Sequence, residues 1–101
     1  MDTFAVVADP TRRRILDELR GRERTVGELV GALGVAQPAV SKHLRVLREA
    51  RMVASSVDAQ RRRYRIDQQG FREVEEWIDA FRRLWTDRLD ALEAHLDGRS
   101  R

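Results

Sequence analysis

Thr25-Val26-Gly27-Glu28-Leu29-Val30-Gly31-Ala32-Leu33-Gly34-Val35-Ala36-Gln37-Pro38-Ala39-Val40-Ser41-Lys42-His43-Leu44-Arg45-Val46-Leu47 is the stretch on which the fold turns. Thr25 and Glu28 have the spacing of a capping box, in which each side chain satisfies a backbone donor that the start of a helix leaves free. Val26, Leu29, Val30 and Leu33 then recur at helical spacing, and Gly34 lies where that helix would stop. A second helix starts near Gln37-Pro38, with Val40, Leu44 and Leu47 spaced by four and three residues. Only Gly34-Val35-Ala36 separates the two. Two short helices joined by a tight turn that contains Gly form the helix-turn-helix pattern. Helical domains that never touch DNA also carry such pairs, so the flanking sequence decides the reading.

Downstream of Met52 the period changes from helical to alternating. Val53, Ser55 and Val57 alternate with Ala54 and Ser56, and Tyr64-Arg65-Ile66 follows a polar tip at Asp58-Ala59-Gln60 and the run Arg61-Arg62-Arg63. Two β-rich runs around a polar tip read as a hairpin. The absence of Gly at the tip predicts a loop longer than two residues. A hairpin directly after a helix-turn-helix is a wing. From Gln69 to Leu96 the helical period returns, and Phe71, Val74, Trp77, Ile78, Phe81, Leu84, Trp85, Leu89, Leu92 and Leu96 form a wide apolar stripe. Such a helix is about 40 Å long.

Upstream, Phe4 to Ala8 is a short apolar segment. Asp9 is a good N-cap and Pro10 fits the first helical position. Ile15, Leu16 and Leu19 at helical spacing, with Gly21 beyond them, predict a helix over about 10–20. No linker or repeat interrupts residues 1–101. The fold class read from the chain is mainly α with a small β-hairpin wing: one winged helix-turn-helix domain of about five helices and two short antiparallel strands.

The charge distribution fits this layout. The 101 residues carry a formal net charge of +3. Residues 36–66 hold eight basic and two acidic side chains, while residues 1–35 are balanced at six each and residues 67–101 carry six basic against nine acidic. The excess positive charge therefore falls on the second helix of the pair and on the hairpin, as expected for a surface that faces a polyanion. Nineteen of the twenty basic residues are arginine; codon bias in a GC-rich genome accounts for that, and nothing is drawn from it. With no cysteine, disulfides and thiolate metal sites are excluded. No apolar run approaches the ~20 residues of a membrane span and the N-terminus has no signal-peptide pattern, so the expected placement is cytoplasmic. A catalytic role finds no support: there is no Gly-rich phosphate loop and no cysteine nucleophile, and the two histidines lie in unrelated helices.

Three runs of sequence, Ala8-Asp9-Pro10-Thr11-Arg12-Arg13-Arg14-Ile15-Leu16, Val26-Gly27-Glu28-Leu29 and Gln37-Pro38-Ala39-Val40-Ser41-Lys42-His43-Leu44-Arg45-Val46-Leu47, closely resemble the arsenic-repressor (ArsR) family of bacterial winged-helix regulators. The hairpin arginines and the Trp77/Trp85 helix look like a subgroup without metal ligands. The resemblance implies a dimeric, DNA-binding repressor with its first and last helices at the interface and a recognition helix starting near Gln37. It departs from the family at Ala36, where a serine is usual; a serine there would cap the recognition helix and reach a phosphate.

With Val40, Leu44 and Leu47 buried, Gln37, Ser41, Lys42 and Arg45 fall on the open side of that helix, where they are candidates to contact bases or phosphates. His43, beside the apolar face, is a candidate phosphate contact or a structural histidine. Arg61, Arg62 and Arg63 are candidates for the minor groove or its phosphates, and strand alternation sends Arg62 to the opposite face from the other two. Arg12 and Arg13 oppose the helix dipole in a first turn, which calls for a phosphate or for partners such as Asp9 and Asp17. Phe4, Val7, Trp77, Phe81, Trp85, Leu89 and Leu92 are the expected homodimer interface, formed by the N-terminal segment and the 69–97 helix. The expected partner is a two-fold symmetric double-stranded DNA operator, with no cofactor, no metal and no membrane. Two rival readings stay open. One is a metal-responsive repressor using Asp87, Asp90 and His95, with Glu93 nearby. The other is a scaffold that binds only protein.

Overall fold

The computed structural model describes residues 2–99. In chain order the elements are α1 (Thr3–Ala8), α2 (Pro10–Glu18), β1 (Arg24–Thr25), α3 (Val26–Leu33), α4 (Gln37–Glu49), β2 (Val53–Asp58), β3 (Arg61–Ile66), a 3-10 turn (Gln68–Phe71) and α5 (Arg72–Arg99). Five α-helices and a three-stranded antiparallel sheet in the order β1-β3-β2 make a winged helix-turn-helix.

The ends of the helices follow the signals in the sequence. Asp9 accepts a hydrogen bond from the Arg12 backbone N–H at 3.0 Å, and Pro10 opens α2. At the start of α3 the Glu28 N–H donates to Thr25 Oγ1 (3.2 Å) while the Thr25 N–H donates to Glu28 Oε1 (3.0 Å), closing the capping box. Gly34 ends α3 at φ +66°, a conformation that costs any residue with a Cβ, and its N–H reaches the Val30 carbonyl at 2.9 Å. The helix pair then packs its apolar faces inward. Ile15, Leu19, Leu29, Val40, Leu44, Leu47 and Met52 are all less than 2% exposed and form one core with Val53 and Tyr64 from the sheet.

Four details differ from the reading of the sequence. A third strand, β1, pairs Arg24 with Tyr64 and Thr25 with Arg63; two residues are too few to carry a period-2 signal. The hairpin loop is only Ala59-Gln60, because the ladder is complete from Val53↔Ile66 to Asp58↔Arg61. Ala59 takes φ +56° to close it, at a cost of about 1 kcal/mol relative to glycine. The opening apolar segment, assigned to the dimer interface, is itself a helix, and its Val6 belongs to the core of the subunit with only 3% exposure. Last, α5 starts at Arg72, after the 3-10 turn.

That turn sets where α5 leaves the domain. The Gly70 N–H donates to the Arg51 carbonyl at 2.7 Å, and the Asp67 N–H to the Met52 carbonyl at 3.0 Å. A Cβ on Gly70 would run into the Ala50 carbonyl oxygen and come within 2.6 Å of both the Arg51 carbonyl carbon and Met52 Cγ. Backbone thus rests on backbone where α4 ends and α5 begins. From this joint α5 runs unbroken for 28 residues, about 42 Å at 1.5 Å per residue. It stretches the molecule to 69 × 26 × 23 Å.

Candidate nucleic-acid interface

The polar side of α4 and the wing are where a duplex can be met. Burial of Val40, Leu44 and Leu47 turns Gln37, Ser41, Lys42 and Arg45 to solvent. Among the described residues none of these four side chains makes a hydrogen bond or ion pair within the subunit, so their donors are free for a ligand. His43 lies at the edge of this face, half-buried, with Nδ1 buried and unpartnered. Its charge and that of Arg12 add to the effect of the Arg12 backbone N–H, the leading cause, in holding the Asp9 carboxyl below its ordinary 3.8; partial burial opposes them. His43 therefore sits within electrostatic reach of the cap of α2. Ala36 supplies no side-chain cap to α4.

In the wing the register sorts the arginines. Val53, Ser55, Val57, Arg62, Tyr64 and Ile66 share the face that leads into the core; Ala54, Ser56, Asp58, Arg61, Arg63 and Arg65 share the other. The expected split of Arg62 from Arg61 and Arg63 follows directly. Arg62 Nη1 donates to Ser55 Oγ at 3.0 Å. Arg63 Nε donates to Asp58 Oδ2 at 3.3 Å. Arg61 and Arg65 are exposed and have no such partner among the described residues.

The arginines of α2 serve a purpose that the sequence reading missed. Arg12 donates from Nε to the Val6 carbonyl (2.7 Å) and from Nη2 to the Ala5 carbonyl (3.5 Å), closing the C-terminal end of α1. Arg14 does the same for α3, donating from Nη2 to the Leu33 carbonyl at 3.1 Å. Neither phosphate nor Asp9 and Asp17 is needed to account for Arg12. Orphan carbonyls at helix ends are the signal that points to such partners, and they become visible only once the helices are packed. Arg13 remains exposed.

At the far side of the molecule, Phe4 meets Trp77 edge-on with ring centroids 5.6 Å apart, and Trp77 meets Phe81 at 4.8 Å. α1 therefore already packs on the first turns of α5 within one subunit. Beyond that contact the stripe lies open: Trp85 is 59% exposed, Leu89 62% and Leu92 53%. Asp87, Asp90 and His95 share α5 but not one face, since at about 100° per residue His95 lies about 140° round the axis from Asp90. Among the described residues no three His, Cys, Asp or Glu side chains of one subunit converge as a metal site would require.

Residues 9–55 match the family model described as "Bacterial regulatory protein, arsR family". The chain is 40% identical over 83 residues to the HTH-type transcriptional regulator Rv2034 of Mycobacterium tuberculosis, a match covering 82% of this chain and 75% of that protein. The chain belongs to the arsR family of bacterial regulatory proteins. This arsR-family member is also 36% identical over 53 residues to the transcriptional repressor SdpR of Bacillus subtilis, covering 52% of this chain and 59% of the relative. A crystal structure described as a possible transcriptional regulator for arsenical resistance superposes with a TM-score of 0.73 at 40% identity, over 93% of this chain and 95% of the other. The arsR-family chain is thus a DNA-binding transcriptional regulator and not an enzyme. No helix of the described residues is long and apolar enough to cross a membrane.

Proposed function

We propose that the chain is a homodimeric, metal-independent repressor that acts in the cytoplasm on a two-fold symmetric duplex operator. In this reading α4 enters the major groove and Gln37, Ser41, Lys42 and Arg45 contact base edges and phosphates, with His43 at the border. The wing meets the neighbouring backbone or minor groove through Arg61 and Arg63, which share one face, while Arg62 lies on the other. α1 and the open part of α5 pack against their two-fold mates. The observation that carries the proposal is the unpaired polar face of α4, set on a buried apolar face in the domain of a known regulator family. The absence of cysteine and the presence of a single histidine, His95, on α5 make a poor supply of nitrogen and sulfur ligands and favour a repressor indifferent to metals.

Binding to the chain's own promoter against a random duplex of equal length tests this reading. Arg45→Ala or Gln37→Ala weakens specific binding by about 1–3 kcal/mol where the residue makes a bidentate base contact. Equal affinity of the unmodified protein for both duplexes overturns the proposal. Repeating the titration with and without zinc after chelation tests the metal reading. A tenfold change, about 1.4 kcal/mol of coupling, transfers support to the metal-responsive alternative.

A further inference from the structure

We propose that Asp58 is a built-in counter-charge that limits the wing's sequence-independent grip on DNA. The inference rests on the wing contacting phosphates, as proposed above. Asp58 is the only acid in the hairpin 53–66, which also carries Arg61, Arg62, Arg63 and Arg65. It stands at the tip, where a duplex backbone comes nearest. The ladder puts it directly opposite Arg61 on the same face, and its Oδ2 accepts from Arg63 Nε at 3.3 Å. One carboxylate therefore shares a face with Arg61 and Arg63, the two tip arginines that this side of the wing offers to phosphate.

A structural role for this carboxylate is weak on two counts. Its side chain is 69% exposed, and exposed ion pairs contribute little to stability because water and salt screen them. Nor does it hydrogen-bond the backbone of the Ala59-Gln60 loop, the role an Asp at a turn usually fills; its hydrogen-bond partner is Arg63. Near a phosphate, by contrast, the charge counts twice. It repels the backbone directly, and it holds Arg63 by the Nε edge, so that a phosphate must compete for that guanidinium. Because this operates on phosphate and not on base edges, it discounts binding to every sequence alike. Base reading by α4 is left untouched.

The test is Asp58→Asn, which preserves shape and turn preference while removing the charge. Affinities for the operator and for a random duplex are measured between 50 and 200 mM salt. The expected result is tighter binding to both duplexes by a similar factor, with log K falling more steeply in log salt by about one unit. The gain at 50 mM then exceeds that at 200 mM by roughly 3.5-fold, since one added phosphate contact at a slope of about −0.9 scales as salt to that power over a fourfold range. Arg63→Gln should also cost more affinity in the Asp58→Asn background than in the native protein, because Asp58 already neutralises the arginine there. A variant that binds no tighter than the native protein on either duplex overturns the inference. Arg61→Gln separates this from failure of the underlying reading. If neither its salt slope nor that of the Arg61→Gln/Arg63→Gln double variant differs from the native protein's, that face of the wing does not grip phosphate, and both ideas fall together.

Discussion

Ala36 stands at the head of the reading helix, where a hydrogen-bonding side chain would close one of the helix's orphan N–H groups. No side chain does so here, and the Ala39 N–H donates to the Ala36 carbonyl at 3.1 Å instead. Pro38 removes one further donor from the first turn, so the cost of the missing cap is lowered but not abolished. Ala36→Ser should raise stability by about 1 kcal/mol in urea denaturation at neutral pH; no gain would show that the turn cannot adopt capping geometry. Asp9 is the opposite case, a cap in place. Its folded pKa lies below the ordinary 3.8, so its stabilisation is complete above the unfolded value and disappears as pH falls through the folded one. Asp9→Ala should therefore cost about 1 kcal/mol at pH 7 and progressively less below pH ~4. A difference between variant and native protein that stays constant down to pH ~2 would contradict an ionised cap.

At the scale of elements, the joint between α4 and α5 decides the geometry. Gly70 is buried against Ala50, Arg51 and Met52, just beyond the end of α4, with backbone where a side chain would otherwise sit. Gly70→Ala forces the two elements apart and should destabilise the domain by about 1–3 kcal/mol, read as a lower melting temperature. An unchanged melt would mean that the joint yields freely. Nothing in the sequence marks this contact, because a lone Gly between Gln69 and Phe71 looks like any loop. The helix pair was legible for the opposite reason. Thr25, Glu28, Gly34, Val40, Leu44 and Leu47 each carry a local rule, and the rules agree. Local rules failed where pairing across the chain took over. β1 exists only because β3 lies beside it, and the two-residue loop at Ala59 exists because a full ladder outweighs one strained residue. Of the candidate site, the open face of α4 and the alternation of the wing arginines could be read from spacing. The pairing of Arg63 with Asp58 and the loss of Arg12 to the end of α1 needed the fold.

For the whole molecule the shape makes the strongest argument. A compact chain of 100 residues has a radius of gyration near 13 Å; this one has 19.3 Å. The excess is α5, whose outer turns expose Trp85, Leu89 and Leu92 to water. Each such side chain left uncovered forgoes roughly 1.5–3 kcal/mol. In the proposed dimer the same face of a second copy covers them in an isologous two-fold interface, and a symmetric operator then requires the two reading helices to stand about 34 Å apart or at a multiple of that distance. Trp85→Ala, and Leu89→Asp more severely, should shift the protein toward monomer and abolish tight operator binding while leaving much of the helical circular dichroism.

Sedimentation equilibrium of the unmodified protein at micromolar concentration, with operator binding measured on the same sample, tests the account most directly. The account predicts a mass twice that of the 11.7 kDa chain. A mass of one chain, with operator binding intact, would contradict it.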